Sequence, residues 1–289
     1  MKKISLLPNI FIFIAFLYSL THLSQINQIT TYAYRDVFTL FTSLFMWMIL
    51  FSLANNYHFF ILFGKIIHPF IYPFLKLSPL ETAIYISTIF SGYPTNIKII
   101  KESHIPEERK IHLIKFSSHP SISFVVYILG SQVFNNIVIG YYLFFIQVVS
   151  NFIIGVIIRK ETLANNDEQY IQLPLIQLLK KEFVNTFIIF IYIFGFMLVS
   201  RIIIDILPLK HILFTGLLEF STGCLSLTNY PSKLSFIYAS IFLSFSSLSV
   251  IFQSTSIFEK DGLLIVLIKY RLFQALICLI LSSIISFFI

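Results

Sequence analysis

Long apolar runs alternate with short polar interruptions along the chain, and the interruptions recur in each half. Runs near 6–23, 37–54, 111–134, 137–158, 183–204, 234–257 and 272–288 predict membrane-spanning helices. They reach or approach the roughly 20 residues that a helix needs to cross a hydrocarbon core. Two further apolar segments, 79–97 and 211–229, hold residues that a plain spanning helix lacks. The first reads Pro79-Leu80-Glu81-Thr82, an apolar run, then Ser91-Gly92-Tyr93-Pro94-Thr95-Asn96. The second reads Gly216-Leu217-Leu218-Glu219-Phe220-Ser221-Thr222-Gly223. Each has a carboxylate, hydroxyls and helix breakers, and both predict re-entrant segments. Such broken segments, paired across two halves, point to a binding site near mid-membrane.

Two of the predicted spans are themselves interrupted, one by Phe116-Ser117-Ser118-His119-Pro120-Ser121 and one by Ser244-Phe245-Ser246-Ser247-Leu248-Ser249. Pro120 has no backbone donor and disfavours helical geometry at His119. Backbone freed at membrane depth is tolerated only where it lines a cavity or packs on protein. Four polar breaks at comparable depth therefore predict one shared central cavity. The expected fold class is an all-α polytopic membrane protein, an inverted repeat with two re-entrant hairpins and two interrupted transmembrane helices. The expected division is an N-terminal helix and outer loop (1–36), a first half (37–158), a cytoplasmic linker with an interfacial helix (159–182) and a second half (183–289). The segment 57–77, broken by Pro69 and Pro73, is expected to lie on the membrane surface.

Composition agrees with a lipid solvent. Hydrophobic residues make up 57% and charged residues 11%, where a soluble domain carries about 25% charged residues. Mean hydropathy is +0.87. The first segment follows Lys2 and Lys3 like a signal peptide, but no small-residue cleavage site follows it, so it reads as a retained helix. With the predicted spans in place, every lysine and arginine except Arg35, Arg201, Lys210 and Lys233 falls on one side. The positive-inside rule makes that side cytoplasmic, with the N-terminus inside. The net charge of +7 is therefore flanking charge, and no basic module suggests a nucleic-acid partner. Cys224 and Cys278 lie in apolar stretches and offer neither a disulfide framework nor a zinc site.

The candidate chemistry sits at the breaks. A carboxylate inside a membrane segment is costly and is read first as functional, which selects Glu81 and Glu219 as coupling or gating groups. Glu81 follows Ser78-Pro79, a helix-start signature, so capping competes there. Ser91, Gly92, Tyr93, Pro94, Thr95 and Asn96 read as a hairpin tip whose returning half-helix favours an anion at its N-terminus. Ser117, Ser118, Thr222, Ser246, Ser247, Ser249 and Gln253 are candidate substrate contacts, against the alternative that serines serve helix packing. His119 is a candidate gating group or a satisfied core histidine. Arg201 and Asp205, spaced i, i+4, read as a structural pair. No glycine-rich phosphate loop, nucleophile triad or metal-ligand spacing is present in the sequence, so no enzyme activity, cofactor or metal is expected.

Taken together, Ser91-Gly92-Tyr93-Pro94 with Lys98, the Ser-Ser-x-Pro run at 117–120, Gly216-Leu217-Leu218-Glu219 with Thr222-Gly223, and Ser247-Leu248-Ser249-Val250 with Gln253 resemble the YlbJ-type sporulation integral membrane proteins. These belong to the nucleoside-recognition or gate-domain group, similar to part of the concentrative nucleoside transporters. The resemblance runs from about residue 37 to the end. This chain departs from it at Asn96, where a small residue or glycine is usual, and before the Ser-x-Pro run, where asparagine is usual. It also departs at Ser246 and Ser247, where glycines are usual. The resemblance implies transport of a small anionic aromatic metabolite, dipicolinic acid, across the mother-cell membrane facing the forespore. The expected partners are that substrate, the lipid bilayer, a coupling proton or sodium ion, and a second copy of the chain. An ion-coupled nucleoside-type transporter and a non-transporting sporulation membrane scaffold remain the alternatives.

Overall fold

A computed structural model describes residues 6–161, 173–207, 211–230 and 232–289. Most of the predicted polar linker (162–172), together with Lys2, Lys3 and Lys210, lies outside the described residues. Those described form an all-helical structure. The first half holds α1 (Leu6–Thr21), α2 (Leu23–Asn56), α3 (Phe59–Leu75), α4 (Pro79–Ser91), α5 (Thr95–Glu102) and α6 (Glu107–Ile114), then a π-helix (Ser123–Val133) and α7 (Ile137–Ile157). The second half holds α8 (Leu175–Ile206), α9 (Ile212–Leu218), α10 (Phe220–Leu225), α11 (Ser232–Phe245), α12 (Ser247–Phe258) and α13 (Leu263–Ile285). In each half a pair of short helices is followed by an interrupted helix and then by a long one.

Among the described residues, four helices are long and apolar enough to cross a membrane: Ile137–Ile157, Leu175–Ile206, Ser232–Phe258 taken as one span, and Leu263–Phe288. They are compatible with an integral membrane protein. Their outer faces are apolar; α8 exposes Phe187 and Ile191, and α13 exposes Ile265 and Ile280. In water such surfaces would be unfavourable, whereas lipid is their natural solvent.

Several expectations shift. The outer loop expected within 1–36 is instead the beginning of α2, because 23–56 contains no glycine or proline to stop the helix. The stretch 175–181, expected as a separate interfacial helix, runs unbroken into α8. The predicted span 111–134 is helical only at its ends, since α6 stops at Ile114 and the backbone is irregular until the π-helix. The segment 57–77 is not broken at Pro69 and Pro73, which both lie inside one helix. It forms α3, which packs so closely on α4 that a Cβ on Gly64 would stand 2.6 Å from the Cα of Ala83.

Charged contacts cluster at two ends of the structure. At one end Lys98 meets Glu182 at 3.3 Å, Lys101 meets Glu259 at 3.4 Å and Lys260 meets Glu107 at 3.1 Å. Lys160 pairs with Glu108 there, and Arg109 with Glu81. At the other end Arg201 pairs with Asp36, and Asp205 accepts a hydrogen bond from Tyr18. The pair predicted between Arg201 and Asp205 is thus replaced by partners on α2 and α1. Glu182 and Arg201 both sit on α8, about 28 Å apart at 1.5 Å rise per residue, close to the thickness of a hydrocarbon core.

The pair α9–α10 depends on two glycines. A Cβ on Gly223 would lie 2.3 Å from the Cα of Gly216, a backbone atom that cannot step aside. Gly223→Ala is expected to cost about 2–3 kcal/mol through overpacking, read as a lowered midpoint of thermal unfolding in detergent. Gly195→Ala, inside α8 where the new methyl meets nothing within 4 Å, is the control expected to leave it unchanged or slightly raised.

Candidate functional site

The four polar breaks meet. Helix α4 opens with a full capping box: Ser78 Oγ accepts from Glu81 N–H at 3.2 Å, and Glu81 Oε2 accepts from Ser78 N–H at 2.8 Å. Helix α4 ends at Gly92, whose φ of 70° suits glycine. There is also no room for a side chain, because a Cβ would lie 2.5 Å from the backbone of Ser121. The turn 92–94 therefore docks directly on the irregular stretch 115–121. Tyr93 N–H donates to His119 O at 2.8 Å, and Asn96 Nδ2 donates to Ser117 O at 2.8 Å. In the second half, Glu219 separates α9 from α10 and caps α10. Its carboxylate accepts from Ser221 N–H at 3.1 Å, from Ser221 Oγ at 2.7 Å and from Thr222 N–H at 2.6 Å. Phe220, beside it, lies edge-on to Tyr93 with ring centroids 5.1 Å apart, and Tyr93 Oη donates to Leu243 O at 3.4 Å.

The interruption between α11 and α12 is a true unwinding. Ser246 and Ser247 both adopt left-handed backbone, at φ 65° and 60°. Ser247 and Ser249 bond to each other through their hydroxyls at 2.8 Å, while Ser246 Oγ is buried with no hydrogen-bond partner among the described residues.

A cavity of about 30 Å³ lies where these pieces converge, lined by Tyr93, Pro94, Ser121, Glu219, Ser249 and Gln253 among others. It draws residues from both short-helix pairs and both interruptions. Gln253 Oε1 is buried there without a partner among the described residues. The room suits water-sized occupants, since on the order of 10–15 Å³ of such space holds one water. An adjoining cavity of similar size is lined by Ser91, Thr95 and Ser123 as well as by Tyr93 and Pro94.

The other predicted residues are placed differently. Glu81 does not line the central cavity. Beyond its capping box it forms a two-pronged pair with Arg109, which ties α4 to α6. Thr222 turns away from the cavity, and its Oγ1 accepts from Arg201 Nη2 at 3.3 Å. Asn96, Ser117, Ser118 and His119 build the interruption itself. Their contacts are to one another and to flanking helices, with Ser117 Oγ and His119 Nε2 left without partners among the described residues.

Arg271 is the residue that sequence reasoning missed. The sequence pattern puts it in a cytoplasmic loop, because the last predicted span begins at 272. Helix α13 instead begins at Leu263, and Arg271 is fully buried within it. Its Nη1 donates to Ser118 O at 3.0 Å and to Gln274 Oε1, and its Nη2 donates to Lys115 O at 2.7 Å. Gln274 Nε2 continues to Gln147 Oε1 at 3.2 Å and to Ser150 Oγ at 3.1 Å. Asn151 Nδ2 donates to Ser118 O at 2.9 Å and meets His119 Nδ1 at 3.2 Å. No carboxylate among the described residues pairs with this arginine. The carbonyl of Lys115 at the end of α6, where a helix C-terminus favours a cation, and that of Ser118 in the irregular stretch take that place. The signal that could have found this network is the run of amide residues on spanning helices, Gln147, Asn151 and Gln274, each expensive to strand in lipid.

Two outcomes follow from this geometry. Ser246→Gly removes an unpartnered hydroxyl from a left-handed position and is expected to stabilise the protein by about 1 kcal/mol; a lowered melting temperature in detergent would contradict that. Arg271→Met strands the carbonyls of Lys115 and Ser118 and is expected to destabilise by about 3 kcal/mol. Arg271→Lys should recover only part of that, because an ammonium cannot fork to both oxygens. A lysine variant that melts with the wild type would rule out the forked contact. Comparison with protein-family models, with curated proteins and with solved structures finds no match.

Proposed function

We propose that the protein is a membrane carrier for a small organic anion, with dipicolinate during spore maturation as the leading substrate. The observation that carries this reading is the convergence of all four polar interruptions on one buried cavity, with Glu219, Ser249 and Gln253 facing it. A scaffold has no need to bring four costly breaks together at one point. The resemblance in the sequence supplies the substrate, and the site is chemically suited to it through hydroxyls, a glutamine amide and the ring of Tyr93.

The charge pattern supports an inverted repeat. Helix α4 starts beside Arg109 of α6, a helix whose Glu107 and Glu108 lie in the basic cluster. Helix α5 ends in that same cluster, where Glu102 meets Lys181 at 3.9 Å. The first pair thus leaves and returns to one face, which the positive-inside rule makes cytoplasmic. The second pair contacts Arg201 at the opposite end of α8. Alternating access follows from moving one half against the other. Glu219, placed at the tip and facing the cavity, is the group in this reading that couples substrate movement to a proton.

The test is flux of labelled dipicolinate into proteoliposomes. Saturable flux is expected from the wild type, with a loss of about tenfold or more in Gln253→Leu and a changed pH dependence in Glu219→Gln. Folded protein that gives no flux under any imposed ion gradient would overturn the reading. Competition by nucleosides but not by benzoate would replace the substrate class and keep the carrier.

A further inference from the structure

Another pocket, broad and open, of about 350 Å³, lies at the far end of α8 and is far roomier than the central cavity at about 30 Å³. Pockets for small ligands begin at roughly 300 Å³. Tyr32, Arg35 and Asp36 of α2 line it together with Arg201 of α8, Thr215 of α9 and Thr222 of α10. It therefore borders the helix pair whose tip, Glu219, faces the central cavity.

The donors in this cavity are only partly used. Arg201 Nη2 donates to Asp36 and to Thr222 Oγ1, while Arg201 Nε is buried without a hydrogen-bond partner among the described residues. A guanidinium presents a planar fork matched to a carboxylate, so one edge of that fork lacks its complement. Arg35 is held loosely. Its side chain is 72% exposed, its Nε stands 3.8 Å from Asp36, and its guanidinium lies 5.4 Å from the centre of the Tyr32 ring. Asp205 also lines the cavity, but its carboxylate already accepts from Tyr18. Asp36 is thus the acid that competes directly for both arginines. Tyr32 is exposed and offers a flat aromatic face beside them.

We propose that this vestibule is a docking site for a small aromatic carboxylate. Arg201 and Arg35 bind the carboxylate, Tyr32 stacks on the ring, and Asp36 is the internal competitor that the ligand displaces. The inference rests on the carrier reading above and names where its substrate first binds. The two acids in the lining disfavour highly charged anions, so the site favours a carboxylate over a polyphosphate. Its link to the central cavity is α10, which holds Thr222 at the vestibule and is capped by Glu219.

Equilibrium binding of labelled dipicolinate to the purified full chain in lipid nanodiscs tests this, with benzoate and uridine as competitors. Arg201→Gln is expected to weaken binding about tenfold, and Arg35→Gln to weaken it by a smaller factor. Asp36→Asn is expected to tighten binding, because it releases Arg201. These opposite signs separate a binding site from a structural ion pair, for which both variants shift affinity the same way. Benzoate should compete and uridine should not. Because Arg35 is exposed, its variant keeps the test decisive even if Arg201→Gln does not fold. The proposal is overturned if Asp36→Asn weakens binding, if Arg35→Gln binds like the wild type, or if folded wild type binds no carboxylate. Vestibule variants that bind like the wild type, alongside intact flux, overturn the vestibule and leave the carrier standing. Binding with the expected signs but no flux supports the vestibule and removes the carrier.

Discussion

Every polar backbone group that leaves a helix at membrane depth must find a partner inside the protein, and the rest of this structure is arranged around that demand. The irregular stretch 115–121 frees a row of carbonyls. Lys115 O is taken by Arg271, Ser117 O by Asn96, Ser118 O by Arg271 and Asn151, and His119 O by the Tyr93 amide. These donors come from α5, α7, α13 and the turn before α5. One interruption thus fixes how four separate elements pack. That arrangement explains how the buried Arg271 is tolerated, since its charge is spread over carbonyls and amides.

The same logic divides the polar residues of the core into two kinds. Asn96, Ser118, Asn151 and Arg271 are spent on holding the backbone open. Gln253 and Ser249 face the central cavity, with Glu219 between the two roles as both cap and lining. Glu81 shows how local chemistry settles such a division. Once Ser78 and Pro79 start a helix, a glutamate at the third position is captured by the cap, and Arg109 completes its shell.

Much of this was legible in the sequence, because breakers and hydroxyls inside a long apolar run do little except interrupt a helix. Gly92, Pro94, Pro120 and the serines at 246 and 247 marked three interruptions, and Glu219 marked the break between α9 and α10. The shared cavity also followed, from the cost of unsatisfied backbone. What sequence could not give was the partner of each carbonyl. Arg271 sits next to a predicted span boundary, and a shift of a few residues in that boundary separates a surface charge from a buried one. The fate of Asn96 depends equally on a contact across the fold, one that no local pattern encodes. The beginning of α2 was missed for the opposite reason: its polar glutamines and threonines look like a loop, yet nothing among them breaks a helix.

The small size of the central cavity has a kinetic meaning. On the carrier reading, space for water-sized occupants alone is too little for a dicarboxylate to pass. A carrier of this kind would pass its substrate only when helices part, and such rearrangements take microseconds to milliseconds. Throughput is then counted in turnovers, as at a turnstile, and the bilayer keeps its seal between them.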